Sequence, residues 1–208
     1  MKHVHLFPAF LKIAGRPCLV VGAGAIGEEK IQGLLHAEAK IRVVAPQATA
    51  RVQGWAREGR IRWEQRKFRP ADLSATFLVV AATSSPELHE KIYKEARRRS
   101  VLCNVVDDPE HCDFYYGSVI RRGALQIAIS SAGQSPALAQ RLRKELEQQF
   151  GTEYEGWLAE LGEARDRLFT RSVDPGRRKE LLHRLASKSS LEEFRRRQKR
   201  RSRVSVAK

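Results

Sequence analysis

The chain has 208 residues, 42% of them hydrophobic, with 39 Lys and Arg against 24 Asp and Glu and a formal net charge of +15. That length suits one α/β domain of about 100–150 residues plus a smaller appendage, and the lack of any run of about 18 apolar residues excludes a membrane-spanning helix. Three cysteines, Cys18, Cys103 and Cys112, without CxxC spacing argue against a disulfide framework or a structural zinc site and fit a reducing cytoplasm.

The stretch up to residue 17 is too irregular, and too short in its apolar part, for a secretory signal. From there to residue 106 strand-like and helix-like segments alternate, the pattern of a parallel sheet. Residues 17–22 read as a buried strand and 25–38 as a helix, and 40–45 and 47–58 repeat the pair. Residues 61–66 alternate apolar and polar, as a half-exposed strand does, whereas 76–82 are continuously apolar, as a central parallel strand is. Pro86 suits the first turn of a helix running to residue 99, where its missing N–H costs nothing. Residues 101–106 close the series. Five strands with crossover helices predict an α/β fold, a Rossmann doubly wound parallel sheet that takes its ligands beyond the strands' carboxyl ends.

The period then changes. Residues 118–122 and 124–130 read as two short antiparallel strands meeting at Gly123, and 137–150 as a helix behind Pro136. From Thr152 onwards the pattern is amphipathic helix, broken at Asp174-Pro175-Gly176. The expected organisation is a dinucleotide-binding domain over 1–113, a small β/α segment over 114–150 and a helical domain over 151–208. This last part carries 16 Lys and Arg against 9 Asp and Glu, most densely between Arg195 and Arg203. The basic end reads as a solvated, disordered tail. With no aromatic platform or nucleic-acid module beside it, nucleic acid is not the expected partner.

The chemistry starts at Gly22-Ala23-Gly24-Ala25-Ile26-Gly27, a GxGxxG that follows a strand and opens a helix. Gly22 permits the tight turn, Gly24 lets the backbone approach a diphosphate, and Gly27 lets the helix pack closely on the sheet. Open N–H groups at the helix start then face the anion. The second strand ends Val43-Val44-Ala45-Pro46, without the carboxylate that bonds an adenine ribose. NAD and NADP therefore both stay open, with Arg42 and Arg51 as candidates for facing a 2′-phosphate. Asp107 follows the last parallel strand, where a partly buried carboxylate would serve as general base, or else would cap the turn before Pro109. Asp107, Asp108, His111, Cys112 and Asp113 crowd together, but they lack zinc-site spacing in a loop too short to aim all of them inward. No resident metal is expected.

Several ordered pieces carry a resemblance: Val20-Val21-Gly22-Ala23-Gly24, Lys30, Val43-Val44-Ala45-Pro46, Ala81-Ala82-Thr83, Cys103-Asn104-Val105-Val106-Asp107, Asp113-Phe114 and Ile129-Ser130-Ser131-Ala132-Gly133-Gln134-Ser135-Pro136. Over roughly residues 5–150 the chain resembles the precorrin-2 dehydrogenase and sirohydrochlorin ferrochelatase family, which includes the N-terminal module of siroheme synthase. The resemblance implies oxidation of precorrin-2 to sirohydrochlorin with NAD as cofactor, and in some members insertion of Fe²⁺, as substrate, to give siroheme. It implies cofactor contacts from Gly22 to Gly27, at Pro46 and at Thr83, with Asp107 as base and as proton acceptor during metal insertion. Ser130, Ser131, Gly133 and Ser135 would line the tetrapyrrole site; Ser131 matches a serine that can be phosphorylated, and Ser135 reads equally as a helix N-cap. Arg121, Arg122, Arg141 and Arg143 would meet the substrate's carboxylates. A homodimer through residues 114–150 is also implied.

The chain departs from the family at Ser84-Ser85, where an acidic pair is usual, at His89 in place of asparagine, and at Gly27, where alanine is commoner and sterically harmless. A non-catalytic, dinucleotide-sensing module is the competing reading, and Ser84, Ser85 and His89 are what favour it.

Overall fold

The structure is a computed structural model in which residues 4–171 and 173–206 are described. Residues 1–3 of the N-terminal stretch and 207–208 of the basic end lie outside the described residues. The chain divides into two compact units, 1–116 and 117–208.

In the first unit, β1 (Pro17–Ala23), β2 (Lys40–Ala48), β3 (Arg62–Glu64), β4 (Leu78–Ala81) and β5 (Leu102–Val105) form one parallel sheet in the order β3-β2-β1-β4-β5. The crossovers include α1 (Ala25–His36), α2 (Ala50–Arg57) and α3 (Pro86–Arg98). This is the doubly wound sheet expected from the sequence. Its strands read as apolar runs because both faces are buried. Along β1, Cys18 and Val20 join Ile31 and Val43 on one face, while Leu19 and Val21 join Val79 and Ile92 on the other. The strand order reverses between β1 and β4, and a crevice opens there at the carboxyl ends.

The boundary between β2 and α2 differs from expectation. After an irregularity between Val21 and Ala23, β2 pairs with β1 again, Ala23 with Ala48, so the strand continues through Pro46. The following helix starts at Ala50 rather than 47, because Thr49 Oγ1 accepts from the Val52 N–H at 3.3 Å and caps it.

Beyond β3 the buried carboxylate of Asp72 gathers the charges of the sheet edge. Arg66 donates to both of its oxygens, at 2.6 and 2.8 Å, and the Arg69 N–H donates at 2.8 Å. Burial alone would raise this carboxyl. The hydrogen bonds from Arg66 and Arg69, with the charges of Arg66 and Arg42, outweigh it and hold the group below its ordinary value. The stabilisation is therefore complete above about pH 5 and fades as pH falls through the lowered folded value. Asp72→Ala is expected to cost about 2–3 kcal/mol in urea unfolding at pH 7, since it strands two cations and a backbone donor. The difference from wild type should shrink as the solution is acidified below that value; a pH-independent difference would show that cavity formation, not charge, is responsible.

In the second unit, β6 (Ser118–Arg122) and β7 (Leu125–Ile129) form an antiparallel hairpin closed at Gly123, which has φ +56°. It packs on α4 (Pro136–Gln149) and α5 (Glu153–Thr170). Asp174 caps α6 (Pro175–Leu185), its carboxylate accepting from the Arg177 N–H at 3.0 Å. A second break was not expected: Ser187 accepts from the Ser190 N–H at 3.3 Å as α7 (Lys188–Val206) begins.

The basic end, expected to be disordered, is helical through residue 206. Leu191 and Phe194 bury against Trp157, while Arg195 pairs with Glu153 and Arg197 with Glu160 at 2.7 Å. Arginine, lysine and glutamine are good helix formers, so an anchored first turn carries the run onward. No helix among the described residues is long and apolar enough to cross a membrane.

Candidate functional site

The turn between β1 and α1 is dictated by contact with β4. Gly22 has φ +98°, and a Cβ there would stand 2.7 Å from the Ala82 carbonyl carbon and closer still to its oxygen. A Cβ on Gly27 would meet the Gly22 carbonyl, its carbon at 3.0 Å. Alanine at 27 is thus not harmless on this backbone, contrary to the expectation from the family pattern, because the turn would have to open. Gly24 is different in kind. It is the N-cap of α1 with no side-chain cap, and nothing lies within 4 Å of a Cβ built on it. The first-turn N–H groups of α1 are left for an anion, beside a cradle that a side chain would fill. These features fit a diphosphate.

A cleft of about 830 Å³ opens over this turn. It brings together every residue from Gly22 to Gly27, Pro46, Thr83 and Asp107. Gln47, Ala48 and Thr49, which the sequence did not single out, also line it; the Thr49 capping position was the signal available for them. Thr83 Oγ1 is buried without a hydrogen-bond partner among the described residues. Its carbonyl oxygen lies 2.7 Å from Nε2 of the buried His89, which requires the Nε2–H tautomer as donor. His89 therefore braces the cleft wall from behind rather than lining the cleft. His89→Ala should weaken nicotinamide-cofactor binding about fivefold, the worth of one such hydrogen bond; unchanged affinity would separate the brace from the site. Ser85 is likewise a helix cap, accepting from the Leu88 N–H at 3.3 Å, whereas Ser84 lines the cleft.

Asp107 stands apart from its neighbours. Asp108 Oδ2 is 2.7 Å from His111 Nδ1, and Asp113 Oδ2 accepts from the Cys103 N–H at 3.0 Å. Cys112 Sγ accepts from the Val105 N–H at 3.3 Å and donates to the Val105 carbonyl at 3.1 Å. Burial, then the charges of Asp113 and Cys112, push the Cys103 thiol up to about 12, so it is no thiolate ligand at neutral pH. Among the described residues no three His, Cys, Asp or Glu side chains stand where they could share a metal. The Asp107 side chain has no hydrogen-bond or ion-pair partner among the described residues. It is exposed in the cleft, not partly buried as expected, and its backbone is left-handed at φ +61°.

The serine loop lies in the second unit and closes on itself. Ser130 Oγ accepts from the Ala132 N–H and Ser131 Oγ from the Ser135 N–H, each at 3.1 Å, with Ala132 and Gly133 both at positive φ. Ser135 is the N-cap of α4, accepting from the Leu138 N–H at 3.2 Å. Of the four arginines, Arg122 donates to the Phe150 and Glu147 carbonyls, Arg141 pairs with Glu145 and Arg143 with Glu147. Arg121 is exposed and, of the four, the one without a side-chain partner among the described residues.

An NAD(P)-binding family model matches residues 9–118, and the model of the sirohaem biosynthesis protein central region matches residues 122–149. The chain belongs to this family of siroheme-biosynthesis proteins. Members similar to it include the siroheme synthase of Neisseria meningitidis serogroup C (strain 053442), 42% identical over 69% of this chain and 30% of that protein. The siroheme synthase of Photorhabdus laumondii is 42% identical over 67% and 30% respectively. The chain thus spans under a third of the length of these curated relatives. A solved structure described as SirC, precorrin-2 dehydrogenase, is similar with a TM-score of 0.76 and 28% identity, covering 92% of this chain and 98% of that one. A nicotinamide cofactor is accordingly part of the family's equipment here.

Proposed function

We propose that this chain oxidises precorrin-2 to sirohydrochlorin with NAD⁺ as acceptor, as the SirC match suggests. The observation that carries the reading is Asp107: a free, exposed carboxylate in the same cleft as the glycine turn, held in a backbone conformation that L-residues seldom adopt. A nicotinamide dinucleotide bound in the cleft would supply the hydride acceptor. The N–H groups at the start of α1 would hold its diphosphate and Pro46 and Thr83 would border it, while Asp107 takes the proton at a carboxylate oxygen. Loss of one hydride and one proton from precorrin-2 accounts for sirohydrochlorin, NADH and H⁺.

Ser130, Ser131, Gly133 and Ser135 supply hydrogen bonds to the tetrapyrrole, and Arg121 supports steering of its carboxylates. Insertion of Fe²⁺, as substrate, would use Asp107 again as proton acceptor. A homodimer through residues 114–150 and a cytoplasmic setting, consistent with three free thiols, complete the proposal. The test is anaerobic incubation with precorrin-2 and NAD⁺ or NADP⁺, following the sirohydrochlorin spectrum, then adding Fe²⁺. Cofactor-dependent conversion is expected; folded protein that binds dinucleotide but converts nothing would favour the sensing module.

A further inference from the structure

We propose that Glu28 sets a preference for NAD⁺ over NADP⁺, by fixing Thr49 and neutralising Arg51 at the end of β2; this rests on the dinucleotide reading above. A Rossmann fold usually places a carboxylate at that strand end to accept from the adenine ribose, and here Val43-Val44-Ala45-Pro46 offers none. The fold delivers one from elsewhere. Glu28, in the first turn of α1, accepts from Thr49 Oγ1 at 2.7 Å, and its other oxygen stands 3.5 Å from Arg51 Nη1. Thr49 lines the cleft, and its own N–H is bonded to the Ala23 carbonyl at 3.0 Å. The carboxylate is thereby fastened to the segment that carries β2 into α2.

The two cofactors differ at one group. The 2′-hydroxyl of NAD⁺ is a neutral donor that suits a fixed carboxylate. NADP⁺ presents a dianion, which the carboxylate repels. Arg51, the cation within reach, already faces Glu28 and stacks on Trp55 at 5.1 Å. The second candidate, Arg42, is turned towards Glu64 and Asp72 on the far side of β2. A 2′-phosphate therefore meets a pair without net charge rather than a free guanidinium, and displacing Glu28 would break its bond to Thr49. With Arg51 about half exposed, the effect is one of moderate size.

The dissociation constants of NAD⁺ and NADP⁺, measured by calorimetry on the intact chain, test this directly. Wild type should bind NAD⁺ more tightly. Glu28→Gln keeps an acceptor for Thr49 while freeing Arg51, and should move the affinity ratio towards NADP⁺ by about tenfold. Adding Arg51→Ala to that variant should remove the gain. Circular dichroism melts establish that each variant is folded. A ratio that stays within about twofold of wild type in folded Glu28→Gln, or a wild type that prefers NADP⁺, overturns the role of Glu28 and leaves the cofactor cleft standing. Wild type binding neither dinucleotide overturns the cofactor reading and this inference with it.

Discussion

Replacing Asp107 with asparagine is expected to slow precorrin-2 oxidation by about 10²–10⁴-fold, the usual loss when a positioned base is removed. The dissociation constant for NAD⁺ should change little, because among the described residues no hydrogen bond or ion pair joins the Asp107 carboxylate to the glycine turn, though both line the cleft. Asparagine is the informative choice, since it tolerates the left-handed backbone as aspartate does and removes only basicity. The strained backbone allows a second arm. Asp107→Gly should lose the same activity yet gain up to about 1 kcal/mol of stability, because glycine adopts φ +61° without penalty. Conversion at the wild-type rate by either variant would remove Asp107 from the chemistry. Lost activity with lost stability in the glycine variant would mean that the side chain supports the fold.

The two glycines of the turn should respond in opposite ways. Gly22→Ala puts a methyl group into the Ala82 carbonyl at a φ of +98°, with backbone on both sides of the clash. About 3–4 kcal/mol of stability should be lost in urea unfolding. At Gly24 a Cβ meets nothing within 4 Å, and the Gly24 backbone, at φ −75°, is one that any residue adopts; Gly24→Val therefore starts from open space. Its stability should stay within about 0.5 kcal/mol of wild type, while NAD⁺ affinity falls about 100-fold, because the side chain occupies the approach to the α1 N–H groups. A stable Gly24→Val protein with unaltered affinity would exclude the turn as the diphosphate cradle.

Much of this molecule was legible in the amino-acid sequence. The parallel sheet follows from apolar runs such as residues 76–82, which only burial on both faces explains. The glycine turn was recognisable because its spacing, its preceding strand and its following helix obey local rules. Asp107 could be placed at the ligand edge because a residue just past a parallel strand has nowhere else to go. The helix start at Pro86 was readable for a similar reason, as were the helix behind Pro136 and the break at Asp174-Pro175-Gly176, since proline and the capping residues before it act within one turn.

What the tertiary structure alone decided depends on contacts between residues far apart in the chain. The continuation of β2 through Pro46 exists because Ala23 pairs with Ala48, and no local propensity announces it. The link from Glu28 to Thr49 crosses 21 positions, so neither residue carried a signal by itself. His89 looked like a departure beside the cofactor and proved to brace Thr83 from behind, because burial, not spacing, decides which way a helical side chain faces. The basic end looked disordered by composition, yet it is helical where Leu191 and Phe194 find Trp157. Local rules determine where elements begin and what turn joins them. Which polar side chain is free for chemistry and which is consumed in holding the fold is settled only when distant segments meet.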